Sequence, residues 1–214
     1  MKLIIFEGIE KVGKTTNIKY IANFLLKNNY KIKLTREPGG TIVSEKIRNI
    51  LLNNKNKNIL NMNKITELFL ILAARYEHLD KIIIPSIMRK KIVLCDRFMD
   101  STYAYQCGGR MIKMSKVKIL EKLFFFQISP DLIILLNYPV KKSMLYLKKN
   151  IINKDRIEKE KISFFIRVKK TYIKRAILKK NKYLIINCND TLSNIQNVIK
   201  KILIKMHLIQ NVIK

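Results

Sequence analysis

Tryptophan is absent from this chain, glycine occurs six times, and 15 acidic residues face 44 lysines and arginines. Cysteine is scarce too. Cys95, Cys107 and Cys188 are far apart, odd in number and without C-x-x-C spacing. That excludes a disulfide framework or a cysteine zinc site and implies a reducing, cytoplasmic setting. His78 and His207 have no neighbours in sequence that would complete a metal site, and read as ordinary surface or partly buried residues. No apolar run approaches the roughly 18 residues a membrane span needs. The N-terminal run Leu3-Ile4-Ile5-Phe6 stops at Glu7, too short for a secretory signal. No membrane partner is expected.

The shortage of acid leaves a formal net charge of +29. Such a charge invites a nucleic-acid or anionic-surface reading. The basic residues are dispersed, however, rather than gathered in one tail. Lys, Ile and Asn are abundant while Gly, Ala and Trp are scarce, the bias of an A+T-rich coding sequence. Compositional drift is the simpler source. Nonspecific polyanion binding is expected, and no specific nucleic-acid partner. With 214 residues, 48% of them hydrophobic, the chain is sized for one core, so residues 1–214 read as a single domain.

What is present is an alternation of apolar runs with longer helical stretches. Strands are expected at Leu3–Phe6, Lys31–Thr35, Ile92–Cys95, Leu132–Leu136 and Tyr183–Asn187, and the central ones are nearly continuous in Ile, Leu and Val. Helices are expected at Thr15–Lys27, Val43–Leu52, Lys64–Arg89 (kinked or broken at Pro85), Lys116–Phe125, Val140–Lys149, Glu158–Lys179 and from Thr191 onward. Gly108-Gly109 reads as a flexible turn, Asn53–Asn63 as a surface loop, and Asn150–Lys154 as a loop between helices. This pattern predicts an α/β fold with a five-stranded parallel sheet flanked by helices, and ligands beyond the strands' carboxyl ends.

The strongest motif is Gly8-Ile9-Glu10-Lys11-Val12-Gly13-Lys14-Thr15, the G-x-x-x-x-G-K-[ST] phosphate loop between a strand and a helix. Gly8 and Gly13 let backbone N–H groups turn inward on a phosphate. Lys14 reaches the outer phosphates, and Thr15 offers a hydroxyl to Mg²⁺. A tight strand–helix turn alone would not explain Lys14 and Thr15.

Four other stretches are open when read singly. Asp96-Arg97, at the end of the third strand, suits metal support and phosphate binding, or a structural ion pair. Thr35-Arg36-Glu37-Pro38-Gly39-Gly40-Thr41 allows close backbone approach to an anion, or is an ordinary turn. Ile71 and Arg75 share a helix face, and could sandwich and hydrogen-bond a base, or leave Arg75 at a solvent edge. Asp100-Ser101-Thr102-Tyr103-Ala104-Tyr105-Gln106 supplies hydroxyls, an aromatic and an amide for a base or sugar, or a capped helix start.

Together, these stretches resemble the thymidylate kinase family over nearly the whole chain. The resemblance rests on F-E-G-I-E-K-V-G-K-T-T, T-R-E-P-G-G-T, A-A-R, D-R-F-x-D-S-T-x-A-Y-Q, G-G-R, P-D-L and D-R-I-E, in the family's order. It implies a P-loop kinase fold and Mg²⁺-ATP-dependent phosphorylation of dTMP to dTDP. It implies that Gly8, Ile9, Glu10, Lys11, Val12, Gly13, Lys14 and Thr15 bind ATP, with Thr15 and Asp96 serving the metal. Arg97 would bind the dTMP phosphate and align transfer, Glu10 would meet the sugar 3′-hydroxyl, and Arg75, Ser101 and Thr102 would read thymine. Tyr105 and Gln106 would line the pocket, with Arg48 a further phosphate ligand. A short mobile lid at about residues 148–157 would carry Lys148, Lys149 and Arg156. Members of the resembled family are commonly homodimers, which implies a homodimer here.

Two departures from the family pattern matter. Ile71 stands where the family usually has a stacking Phe, and Phe69 is six residues from Arg75 and points elsewhere on a regular helix. Lys11 stands where one subgroup has a catalytic Arg, and the lid is mostly lysine. The expectation is that Lys11 supplies part of the charge on the transferring group, assisted by lid lysines. The alternative is that Lys11 points to solvent.

Overall fold

Leu3 to Phe6 are each at most 1% exposed. Four consecutive buried residues require a strand covered on both faces. In the computed structural model, which describes residues 2–53, 61–125, 128–149 and 154–206, they form the centre of β1 (Lys2–Glu7). β2 (Ile32–Arg36), β3 (Ile92–Asp96), β4 (Leu132–Asn137) and β5 (Tyr183–Asn187) complete a five-stranded sheet. Its order is β2-β3-β1-β4-β5, and every pairing is parallel. The connecting helices are α1 (Lys14–Lys27), α2 (Ile42–Leu52), α3 (Lys64–His78), α4 (Ile84–Met88), α5 (Met99–Thr102), α6 (Met114–Phe124), α7 (Val140–Lys149), α8 (Ile162–Leu178) and α9 (Leu192–Lys205).

Alternate residues of β1 feed two cores. Ile4 and Phe6 join α1, α8 and α9 through Ile21, Phe165 and Ile199. Leu3 and Ile5 join α3 and α6 through Leu68, Leu72 and Val117. Each such side chain contributes about 1.5–3 kcal/mol by leaving water. Polar caps fix where several helices start: Thr41 accepts from Ser44 N–H at 3.0 Å before α2, Asn63 from Ile65 N–H at 2.8 Å before α3, and Thr191 from Asn194 N–H at 3.3 Å before α9. The parallel register sets Phe6 and Arg36 on either side of Asp96, so the ends of β1, β2 and β3 bring Glu7, Arg36 and Asp96 to one edge.

All five expected strands appear within a residue of their boundaries. Three expectations need correction. The stretch Lys64–Arg89 is not broken at Pro85 itself: α3 ends at His78, and a π-helical turn, Leu79–Ile83, precedes α4. Proline lacks an N–H, and its ring crowds the carbonyl four residues back, here Lys81, so the turn before it widens. Gly108-Gly109 is not a flexible turn but the end of a second π-helical segment, Tyr103–Gly109. A side chain at Gly109 would strike the Phe164 ring, and one at Gly108 would strike Thr171, so these glycines let the segment pack tightly on α8. The helix expected from Glu158 starts at Ile162, because Asp155 Oδ1 accepts from Ile157 and Glu158 N–H at 2.9 and 2.8 Å and closes a separate turn. Most of the expected loop Asn53–Asn63, residues 150–153 of the expected lid and His207 lie outside the described residues. Among the described residues, no helix is long and apolar enough to cross a membrane.

Candidate active site

β1 runs into the phosphate loop at Gly8, whose φ of 144° is open chiefly to glycine and whose added Cβ would sit 2.7 Å from the Leu136 carbonyl. Gly13 turns the chain into α1 at φ 85°. The loop is pinned from outside by Ser143 of α7, whose hydroxyl donates to Glu10 O at 2.5 Å. Lys14, the first residue of α1, folds back over the loop, and its Nζ donates to Ile9 O at 2.9 Å and Gly8 O at 3.3 Å. Burial, followed by the neighbouring Arg97 charge, lowers its pKa, with Glu10, Asp96 and Glu7 acting against that. Thr15 Oγ1 donates to Asp96 Oδ2 at 3.3 Å, while Asp96 Oδ1 is buried with no hydrogen-bond partner among the described residues.

Arg97 follows Asp96 with a left-handed φ of 71°, which turns its side chain back across the loop. Its Nη2 donates to Glu10 Oε1 at 2.6 Å, and its Nη1 to Gly8 O at 2.8 Å, and the guanidinium lies 4.9 Å from the Tyr105 ring centre. Tyr105 OH donates to the same Glu10 oxygen at 3.0 Å. Burial would raise the Glu10 carboxyl, but Arg97, Lys14 and the Tyr105 and Arg97 hydrogen bonds bring it down to about 2.

A second cleft adjoins the loop, lined by Arg75, Thr102, Gln106 and Arg156 on its polar side and Leu51, Leu52, Ile71 and Ile157 on its apolar side. Arg75 is 2% exposed, not at a solvent edge. Its Nε donates to Glu37 Oε2 at 2.5 Å, Nη1 to Thr102 Oγ1 at 2.7 Å and Met99 Sδ at 3.4 Å, and Nη2 to Phe98 O at 3.0 Å. Phe69 of α3 is 56% exposed, away from this cleft. Gln106 Nε2 donates to Glu67 Oε1 at 2.8 Å, and Glu67 also accepts from Arg110 and Arg156. Burial would raise Glu67, yet the two arginines hold it below its ordinary value. Arg156 is thus anchored beneath the second cleft, with Nε on Leu51 O at 2.8 Å, rather than over the phosphate loop. The side chains of Lys148 and Lys149 lie outside the description.

Neither expectation for Lys11 anticipated its partner: its Nζ lies 3.3 Å from Glu158 Oε1. Arg48 Nη1 donates to Pro38 O at 2.9 Å. Burial, then repulsion from Arg36, lowers its pKa, with Arg97 adding to the effect, so three guanidiniums converge where an anion would relieve them. Asp100 and Ser101 do not cap a helix. Asp100 accepts from Arg175 Nε, and Ser101 Oγ donates to Glu7 Oε2 at 2.7 Å. Sequence reasoning missed Glu7, Glu37, Glu67, His78, Ser143 and Tyr172. His78 is fully buried, between Glu37 at 3.0 Å and Thr35 at 2.5 Å, not near the surface. Glu37 lies within the stretch Thr35–Thr41, and Glu67 one helical turn before Ile71, so their positions but not their buried partners were legible. Tyr172 and Ser143 arrive from distant helices and carry no local signal.

A phosphate loop at the carboxyl edge of a parallel sheet, opening onto a second cleft, defines a P-loop nucleotide phosphotransferase of the nucleoside monophosphate kinase class. Comparison with known proteins narrows this. The thymidylate kinase family model matches residues 6–199. A thymidylate kinase from Vesicomyosocius okutanii is 43% identical over 202 residues, spanning 94% of this chain and 97% of its own. One from Neisseria meningitidis serogroup B is 37% identical over 202 residues, spanning 94% and 96%. The crystal structure of thymidylate kinase from Ehrlichia chaffeensis superposes with a TM-score of 0.74 at 32% identity, covering 94% of this chain and 97% of that one. The chain belongs to the thymidylate kinase family.

Proposed function

We propose that the chain transfers the γ-phosphoryl group of ATP to the phosphate of dTMP, giving ADP and dTDP for dTTP synthesis. The observation that carries this is a shared wall: Glu10, Glu37, Arg48 and Arg97 line both the phosphate-loop cleft and the second cleft. A donor phosphate in one and an acceptor phosphate in the other meet there. Transfer is in line and needs positioning and charge neutralisation rather than a covalent intermediate or a strong base, since the acceptor is already anionic. Lys14 exchanges its loop carbonyls for ATP phosphate oxygens. Arg97 and Arg48 hold the dTMP phosphate, Arg97 in the bidentate manner of a guanidinium. Glu10, ionised at any assay pH, accepts from the sugar hydroxyl. Arg75 has four polar contacts and keeps one of its five N–H groups for a base carbonyl.

Thr15 and Asp96 would hold Mg²⁺, and the unpartnered, buried Asp96 Oδ1 is the atom that fits it. Held there, Mg²⁺ would neutralise charge on the ATP phosphates. Two finer readings accompany the reaction. Phe69 and Tyr76 of α3 and Ile119, Leu123 and Phe124 of α6 are each more than half exposed, and Tyr76, Leu123 and Phe124 line one groove, which supports pairing with a second copy. Three free, buried cysteines support a reducing cytoplasm.

The test is ADP production with dTMP, dCMP, UMP and GMP as acceptors. The expected result is dTMP-dependent turnover. Comparable rates with the other three would overturn the assignment of dTMP.

A further inference from the structure

Two buried carboxylates, Glu7 and Asp100, line neither cleft, and Glu7 is the more deeply buried. Glu7, 0% exposed, ends β1 directly before the phosphate loop. Its Oε1 accepts from the backbone N–H of Phe98 at 2.9 Å and of Ser101 at 3.1 Å. Its Oε2 accepts from Ser101 Oγ at 2.7 Å and Tyr172 OH at 2.9 Å. Those hydroxyls lie 2.7 Å apart, and both meet Arg97 Nη1, Tyr172 at 3.2 Å and Ser101 at 3.4 Å. A hydroxyl whose proton points at a carboxylate turns its lone pairs the other way, here toward the guanidinium.

We propose that Glu7 is a positioning residue for phosphoryl transfer: through Ser101 and Tyr172 it fixes the Arg97 guanidinium in the wall between the clefts. This rests on the phosphotransferase reading above. A protonated Glu7 must donate to one of the two hydroxyls. That hydroxyl then turns its own proton away from the carboxyl, toward the other hydroxyl or Arg97, and the lone pairs facing the guanidinium are rearranged. Burial, reinforced by the Asp100 charge, pushes Glu7 up to about 7, against Arg97 and the hydrogen bonds of Ser101 and Phe98. The other groups facing it are Lys14 from α1, Cys95 from β3, Tyr172 from α8 and Tyr183 from β5. Ionisation of Glu7 therefore raises turnover as pH climbs through neutrality.

Glu7→Gln is the test, because it is isosteric. The amide oxygen satisfies Phe98 and Ser101 N–H, and its NH₂ faces the hydroxyls as a protonated carboxyl would. The expected result is a kcat lower by roughly 10- to 100-fold, the cost of a misplaced catalytic group, with KM for ATP unchanged and the acid limb of the kcat–pH profile gone. Tyr172→Phe, which removes one relay and leaves the carboxylate, is expected to lower kcat severalfold. A readout independent of turnover is the Arg97 Nε–H resonance, assigned by its loss in Arg97→Lys. It should move with a midpoint near pH 7 in the unaltered protein and stay fixed in Glu7→Gln. If wild-type kcat and its acid limb persist in Glu7→Gln, or, should that variant not fold, wild-type kcat persists in Tyr172→Phe, the inference is overturned. Absent dTMP-dependent product alongside a titrating Arg97 resonance overturns the reaction assignment instead.

Discussion

The two clefts differ in what their most buried cations rest on. In the second cleft the buried cations carry carboxylates: Arg75 with Glu37, and Arg156 with Glu67. At the phosphate loop, Lys14 donates to backbone carbonyls, as does Arg48 in the shared wall, while the more exposed Arg97, Lys11 and Arg36 pair with Glu10, Glu158 and Glu45; among the described residues a carboxylate oxygen of Asp96 has no partner. A matched buried pair fixes geometry and contributes little net attraction to an arriving anion. A cation resting on neutral dipoles keeps its field for phosphate. One side is built to recognise shape and hydrogen bonds, the other to receive charge.

The sharpest way to break that contrast is Lys14→Ala. It should lower kcat by about 10²- to 10³-fold, the scale of losing one preorganised donor at the reacting charge, while leaving dTMP binding in place. Steady-state kinetics with a dTMP-binding titration checks this, and turnover within tenfold of wild type would refute a charge-receiving donor side. Arg75→Lys probes the other side and should fail differently. Lysine keeps the charge but not the fork, so Phe98 O and Thr102 lose their donor. Stability should fall by about 2–4 kcal/mol, a drop in Tm of roughly 5–15 °C in calorimetry, and KM for dTMP should rise. A KM increase without a Tm change would mean that Arg75 acts on substrate alone.

Ile71→Phe sharpens the comparison by adding to the recognition side. The walls there are aliphatic, Leu51, Leu52, Ile71 and Ile157. An aromatic face against the base should gain about 0.5–1.5 kcal/mol, lowering KM for dTMP by up to about tenfold with KM for ATP unchanged. Equal shifts in both constants would place the change outside the second cleft.

The charge-receiving side was the more legible in sequence, for a physical reason. A phosphate loop is made by contiguous backbone, so Gly8, Gly13, Lys14 and Thr15 announce it within eight residues. The continuous apolar runs of β1, β3 and β4 likewise announce a doubly covered sheet. The recognition side is assembled by long-range pairing. Arg75 looked amphipathic until Glu37, 38 residues away, met it, and Gly108-Gly109 looked like a turn until Phe164 and Thr171 packed against it. Arg156 looked like lid charge because its partner, Glu67, lies 89 residues earlier.

Lys11 tests whether the two sides are joined. It belongs to the phosphate loop, yet it pairs with Glu158, in the turn that carries Asp155 and Arg156 to the second cleft. Its side chain is 44% exposed, so the pair is solvent-screened and its removal should leave Tm unchanged. If Lys11 leaves Glu158 to place charge on the transferring phosphoryl group, Lys11→Ala should slow kcat by about two- to fivefold, the scale of a screened charge of up to ~1 kcal/mol. Glu158→Gln, which frees the ammonium, should leave kcat unchanged or raise it. Both variants slowing turnover equally would show that the pair itself matters, as a strut between the clefts. Unchanged turnover in Lys11→Ala, with slower turnover in Lys148→Ala or Lys149→Ala, would move the cation from the loop to the lysines that end α7.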